Sequence, residues 1–226
     1  MTKPRVLLFD VNETLLDLAA LRPHFARLFG TDAVEATLPL WFARLLHAST
    51  VCTLTGAYID FGALAGETLH GVARSQGVAL TATDREAVLT QMRHLDPHPD
   101  VAPALERLKA AGYRLAALTN SGQAAADAQL RNAGLHAYFE AVYSVEAVQR
   151  FKPDPAPYRW AVDQLGVATG GLRMIAAHDW DIHGALRAGL HGAYVARQGK
   201  GYRADYGVPD IVGRDLEDVA MALITG

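Results

Sequence analysis

Residues 5–17 read RVLLFDVNETLLD. The run 5–9 is apolar on both faces, which suits a strand covered on both sides by helices, and Asp10 closes it at its carboxyl end. Comparable runs recur at 114–118, 141–144, 173–177 and 192–195, with helix-like stretches between them. This is the βαβ rhythm of a parallel sheet. The segment 17–96 breaks the rhythm. There apolar residues return at helical spacing, as in Leu38, Trp41, Phe42, Leu45 and Leu46, and again in Phe61, Leu64, Ala65, Thr68 and Leu69. Residues 96–103, DPHPDVAP, bring three prolines together, a stretch expected not to stay helical and to act as a hinge. The fold expected is a doubly wound α/β domain with a parallel sheet, built from residues 1–16 and 97–226, carrying an α-helical cap inserted at 17–96.

The composition agrees with a packed core: of 226 residues, 50% are hydrophobic and 20% charged. Net charge is −3, from 21 Lys and Arg against 24 Asp and Glu, and no basic run interleaves with aromatics. A nucleic-acid surface or an anionic-membrane surface therefore has no electrostatic basis, and a small-molecule partner is expected. Cys52 is the single cysteine, so no intrachain disulfide can form and a reducing cytoplasm is the expected compartment. Asp10 interrupts the first apolar run long before a signal-peptide core or membrane span could form, so no leader is expected.

In open sheets of this kind, ligands gather at the carboxyl ends of strands near the switch point. Four polar groups fall there. Asp10 in FDVNETLLD can cap the next helix, or attack an electrophilic carbon or phosphorus as a covalent nucleophile. Thr119, Asn120 and Ser121 in ALTNSG can cap a helix, or cradle a carboxylate or oxyanion. Lys152 in FKPDPAPY sits on a proline-stiffened loop, where an ammonium near Asp10 would keep that carboxylate ionised. AAHDWDIHGA offers His178, Asp179 and Asp181 after a further strand, at least one of them a cap.

Taken together and in this order, these motifs resemble the haloacid dehalogenase superfamily, with the cap position and length of the type II 2-haloacid dehalogenases. The resemblance is strongest around FDVNETLLD, ALTNS, FKPDPAPY and WDIHGA and weakest through the cap. It implies that Asp10 is the nucleophile, with Thr14 supporting it. Lys152 and Tyr158 would orient Asp10. Asp181 would position it and the hydrolytic water, and Ser121 with Thr119 and Asn120 would form part of the substrate cradle.

Departures from the family pattern separate its chemistries. Phosphatases of the superfamily resemble DxD at the first motif, where the second acid protonates the leaving oxygen and Mg²⁺ is held partly by the first. Here Asn12 stands at the second place, and Ala176 stands where an acid usually precedes the position matched by Asp181. A hard cation wants several anionic oxygens, so phosphoryl transfer is disfavoured, and neither metal nor organic cofactor is expected. A metal-free displacement at carbon through an aspartyl ester remains, with His178 and Asp181 as the expected pair to activate water. The type II enzymes resemble WRQ at a cap helix, with an arginine facing the substrate. The matching stretch here is WFA, and Arg44, two residues past Phe42, is rotated by about 200° on a helix. His178 replaces an asparagine. With Trp41, Phe42 and Trp180 as walls, and Asn12 and Arg44 as further substrate contacts, the pattern resembles a divergent branch whose members include some acting on fluorinated acetates.

The activity expected is hydrolysis of small 2-haloalkanoic acids, fluoroacetate-type substrates included. The alternatives are opening of another small carbon electrophile such as a strained-ring amino acid, phosphatase activity, and a non-catalytic binding module. The apolar stripe of the cap could also serve a homodimer, although packing on the core explains it equally. RQGKGY (197–202) reads as a flexible surface loop, His183 and His191 as solvent-facing, and Cys52 as buried filler.

Overall fold

The computed structural model describes residues 5–226. Strand β1 (Val6–Phe9) is followed by β2 (Leu16–Asp17), then by helices α1 (Arg22–Phe29), α2 (Val34–Thr55), α3 (Phe61–Ser75) and α4 (Ala82–Gln91). The chain returns through β3 (Asp96–Pro97) and alternates as α5 (Val101–Ala110), β4 (Arg114–Thr119), α6 (Gln123–Asn132), β5 (Ala141–Ser144), α7 (Pro155–Leu165) and β6 (Leu172–Ala176). It closes with α8 (Asp179–Arg187), β7 (His191–Val195), β8 (Ile211–Gly213) and α9 (Leu216–Thr225).

Six strands, all parallel, run in the order β5-β4-β1-β6-β7-β8. β1 lies between β4 and β6, and the order reverses beside it, so the crevice beyond its carboxyl end is the switch point. This is the doubly wound sheet expected from the apolar runs. Strand alternation divides the core: Leu7 and Phe9 join one buried cluster with Leu105, Leu108 and Val219, whereas Val6 and Leu8 join another with Tyr158, Met174 and Ile182. The first cluster continues into the helical segment through Trp41, Leu45 and Leu69.

Local chemistry sets several boundaries. Asp60 caps α3 by accepting from Ala63 N at 3.1 Å, and Thr81 forms a capping box with Asp84 at the start of α4. Gly56 ends α2 at φ 70°, a left-handed conformation that costs a glycine little. The stretch 96–103 departs from expectation in part, because α5 begins inside it at Val101. Pro103 then falls in the first turn, where its missing N–H leaves no helical bond unmade. The first five of those residues do leave the helical state, and the first two form β3, which pairs antiparallel with β2, Leu16 opposite Pro97 and Asp17 opposite Asp96. Thus the chain enters and leaves the segment holding α1 to α4 through adjacent strands. No helix among the described residues is long and apolar enough to cross a membrane.

Candidate active site

Asp10 follows β1 directly and is anchored by its own N–H, which donates to the Ile175 carbonyl at 3.0 Å. The loop after it turns sharply, with Glu13 at φ 59°, a conformation that strains a non-glycine residue. That turn brings Thr14 back beneath Asp10. Its hydroxyl donates to Asp10 Oδ2 at 2.6 Å and accepts from Ala177 N at 2.9 Å, tying the β1 loop to the end of β6.

Lys152 enters from the loop before α7 and is buried. An ammonium has three protons, and all three are spent: on Asp10 Oδ1 at 2.8 Å, Asp181 Oδ2 at 2.6 Å and the Leu118 carbonyl at 2.9 Å. The other Asp181 oxygen accepts from the Tyr158 hydroxyl at 2.6 Å. Burial alone would push the Asp10 carboxyl up, but the charges of Lys152 and His178 and the bonds from Lys152 and Thr14 hold it below its ordinary value. Burial would likewise depress Lys152, and its two carboxylate partners raise it instead. Asp181 is raised, by burial and by the charge of Asp10, against the pull of Lys152. Burial also raises Tyr158, which stays a neutral donor.

The 119–121 turn is held by its own groups. Thr119 Oγ1 accepts from Ser121 N at 3.1 Å, Asn120 Oδ1 accepts from Lys152 N at 3.0 Å, and the Ser121 carbonyl accepts from Ser144 Oγ at 2.7 Å. Ser121 alone of the three faces a cavity. Asn12 is spent on protein as well: its amide donates to Ser121 Oγ at 3.2 Å and its oxygen accepts from Gln129 Nε2 at 3.0 Å. This corrects the expectation that Asn12 and Thr119 contact substrate through their side chains; the Asn120 amide nitrogen is not engaged by protein among the described residues.

His178 lies between Phe42 and Trp180, stacked at ring-centroid distances of 6.1 and 5.1 Å. Its Nε2 is 3.2 Å from the Asn12 carbonyl, 3.8 Å from Asp10 Oδ2 and 3.6 Å from Glu13 Oε2. The expected His178–Asp181 pair is therefore not formed, because both Asp181 oxygens are taken by Lys152 and Tyr158. Two other expected contacts also fall away. Trp41 is fully buried, donates to the Ala65 carbonyl at 3.0 Å and packs on Phe25, which makes it core. Arg44 is exposed on α2, in the helical phase opposite the buried Phe42 and Leu45. Cys52 is buried, and it is filler at the inner face of α2.

Sequence reasoning missed Gln129, Glu13 and Arg197. Arg197 donates to the Thr14 carbonyl at 2.8 Å and forms a two-pronged pair with Asp100, both bonds at 2.8 Å. It thereby fixes loop 197–202 over the site rather than leaving it free. His183 and His191 are likewise half-buried partners, of Gly207 N and Asp210. Glu13 carried a legible signal, a non-glycine residue in a tight turn after a buried strand; the others depend on distant contacts.

A divalent cation, as in the phosphatases of the superfamily, does not fit these residues. Both Asp10 oxygens accept from protein donors, Lys152 already bridges Asp10 and Asp181, and the Asn12 oxygen is turned to Gln129. Among the described residues no three His, Cys, Asp or Glu side chains converge as a metal site.

A buried carboxylate held low by a saturated lysine stands at the tip of the switch-point strand of a doubly wound sheet, where ligands of such folds gather. The chain belongs to the haloacid dehalogenase-like hydrolases, whose family profile matches residues 4–189. It is 32% identical over 195 residues to (S)-2-haloacid dehalogenase 4A of Burkholderia cepacia, covering 86% of this chain and 84% of that protein. It is also 32% identical over 196 residues to (S)-2-haloacid dehalogenase 1 of Pseudomonas sp. (strain CBS-3), covering 87% and 86%. Among solved structures it is similar to L-2-haloacid dehalogenase from Xanthobacter autotrophicus with chloropropionic acid covalently bound, at TM-score 0.91, 25% identity and 98% coverage of each chain.

Proposed function

We propose that the protein hydrolyses the carbon–halogen bond of small 2-haloalkanoic acids through an ester on Asp10, with no metal in the reaction. A free Asp10 oxygen lone pair attacks the carbon bearing the halogen. The new C–O bond forms as the C–halogen bond breaks, the halide leaves with the bonding pair, and the carbon inverts. Water then adds to the Asp10 carboxyl carbon, the acyl C–O bond breaks, and a 2-hydroxy acid departs as the carboxylate is restored. The proton released goes to the His178 imidazole, whose Nε2 lies 3.8 Å from Asp10 Oδ2.

The observation that carries this reading is the pairing of Asp10 with a fully saturated Lys152, while position 12 is an amide tied to Ser121 and Gln129. The nucleophile is charged, and no acid stands where a phosphatase would need one. Lys152 cannot act as a base, since its protons are all committed to acceptors. The relatives' names support the substrate class, and the bound chloropropionic acid in the Xanthobacter protein supports a covalent step. Residues 17–96 serve as a cap that keeps water from the displacement step. The Phe42–His178–Trp180 stack forms a tight wall suited to a compact substrate such as fluoroacetate, and a His178 N–H can donate to departing fluoride.

A single turnover in heavy-oxygen water is expected to place the label in Asp10, read by peptide mass; label in the product alone overturns the ester. His178→Asn is expected to lower fluoride release from fluoroacetate more than chloride release from chloroacetate. Equal retention of the two activities removes the leaving-group role.

A further inference from the structure

Two cavities differ in charge, one lined by Glu13 of the Asp10 loop and the other by the residues that hold Asn12. The one on the His178 side, about 540 Å³, is lined by three carboxylates, Glu13, Asp17 and Glu35, against two cations, Arg22 and Lys200. Both cations are already engaged there, Arg22 with Glu35 and Lys200 with Glu13 at 3.8 Å. The cavity on the other side, about 220 Å³, is floored by Ser121 and Gln129, the two residues that grip Asn12. Its cations are Arg85 and Arg93, and its one carboxylate, Asp60, accepts from the N-terminus of α3.

Arg85 reaches this cavity by a built passage. It starts on α4 and crosses α3 at Gly66, where any Cβ would lie 2.7 Å from its Nη2 and 2.8 Å from its Cζ. Glycine inside a helix costs about 1 kcal/mol relative to alanine, so the bare backbone there has an energetic cost that the guanidinium's passage accounts for. The Arg85 Nε is buried with no hydrogen-bond partner among the described residues, and so is Oε1 of Gln129, which lines the same cavity. A guanidinium whose buried Nε has no protein partner among the described residues, and which lines a small cavity, is a fork suited to a carboxylate. Arg85 also lines an outer recess with His24 and Thr90, so it stands between the solvent and the inner cavity.

We propose that Arg85 is the specificity-determining cation of this enzyme: it binds the carboxylate of the incoming small acid in the cavity floored by Ser121 and Gln129. This rests on the haloacid reading for its substrate, while the site itself is defined by carboxylate binding. The carboxylate-rich cavity on the His178 side opposes an anion, so the acid enters along the Arg85 side.

The test has two readouts. For turnover of 2-chloropropionate, Arg85→Gln is expected to raise KM at least tenfold with kcat within threefold, and to leave turnover of the uncharged 2-chloropropionamide unchanged relative to wild type. Lys200→Gln, at the other cavity, is expected to leave KM unchanged. For binding without turnover, calorimetric titration with propionate is expected to weaken at least tenfold in Arg85→Gln and in Gly66→Ala, whose added methyl displaces the guanidinium while keeping its charge. Thermal melts confirm that both variants are folded. Wild-type propionate binding in either variant overturns the proposal, as does a KM that rises in Lys200→Gln and not in Arg85→Gln. If the wild type turns over no haloacid yet binds propionate through Arg85, the haloacid reading falls and the carboxylate site stands.

Discussion

Replacing Lys152 by methionine keeps most of its volume and removes its charge, leaving the buried Asp10 and Asp181 without their shared cation. Breaking a buried ion pair from one side costs about 3–5 kcal/mol. In a chain of this size each kcal/mol moves Tm by about 2–4 °C, so the loss is about 6–20 °C near neutral pH. The pH dependence has a definite sign. In the wild type the Asp10 carboxyl is pushed up by burial and pulled further down by Lys152, so it contributes stability above the ordinary carboxyl value and loses it as pH falls through the lower folded value. The raised Lys152 contributes below the ordinary lysine value and loses it only as pH climbs through its folded value. Asp181, raised by burial and by Asp10, works in the opposite sense to Asp10 and gives up stability as pH rises through its range. Without the lysine both carboxyls behave as Asp181 does, and lowering the pH neutralises them. Scanning calorimetry at about pH 7.5 and about pH 5 should therefore show a deficit that shrinks at the lower pH. Without the lysine, burial drives the Asp10 carboxyl up and lowers its ionised fraction, so halide release at about pH 7.5 should fall and should recover in part as the pH is raised. A Tm within about 3 °C of wild type at neutral pH, or a deficit equal at both pH values, refutes the electrostatic account.

Thr14→Ala removes both the 2.6 Å donor to Asp10 and the acceptor for Ala177 N; a loss of about 1–3 kcal/mol and a lower kcat are expected, read by calorimetry and halide release. Gly184→Ala would place a methyl 2.6 Å from Pro153 Cβ and 2.8 Å from the Tyr158 hydroxyl, so it should cost about 1–3 kcal/mol and loosen the Tyr158–Asp181 bond. A melt equal to wild type contradicts that packing. Prolonged dialysis against EDTA should leave halide release unchanged, because the oxygens a cation would need are already occupied; a loss restored by Mg²⁺ contradicts the reading.

The sheet was legible because each long strand is a short apolar run ended by a polar turn, a pattern carried entirely by neighbouring residues. The four turns containing Asp10, Ser121, Lys152 and His178 converge for the same reason: parallel strands deliver all their carboxyl ends to one edge. The three-residue edge strand β8 was not legible, since Ile211–Gly213 carries too few side chains to set a period and Val212 faces solvent. Nor was the division of labour inside the site. Whether Asn12 faces a ligand or Gln129 depends on a contact 117 residues away, and whether Asp181 meets His178 or Tyr158 depends on how α7 packs on α8. Helical phase did place Arg44 away from Phe42, but spacing on α2 alone carries no information about an arginine arriving from α4.

The pairing of β2 with β3 has a practical consequence. Because Leu16 and Asp17 lie in antiparallel register with Pro97 and Asp96, the four-helix portion hangs from a single two-stranded stem instead of two distant attachment points. The natural splice points for grafting another helical segment therefore lie at the stem, and a graft must also match the buried cluster that joins these helices to the sheet.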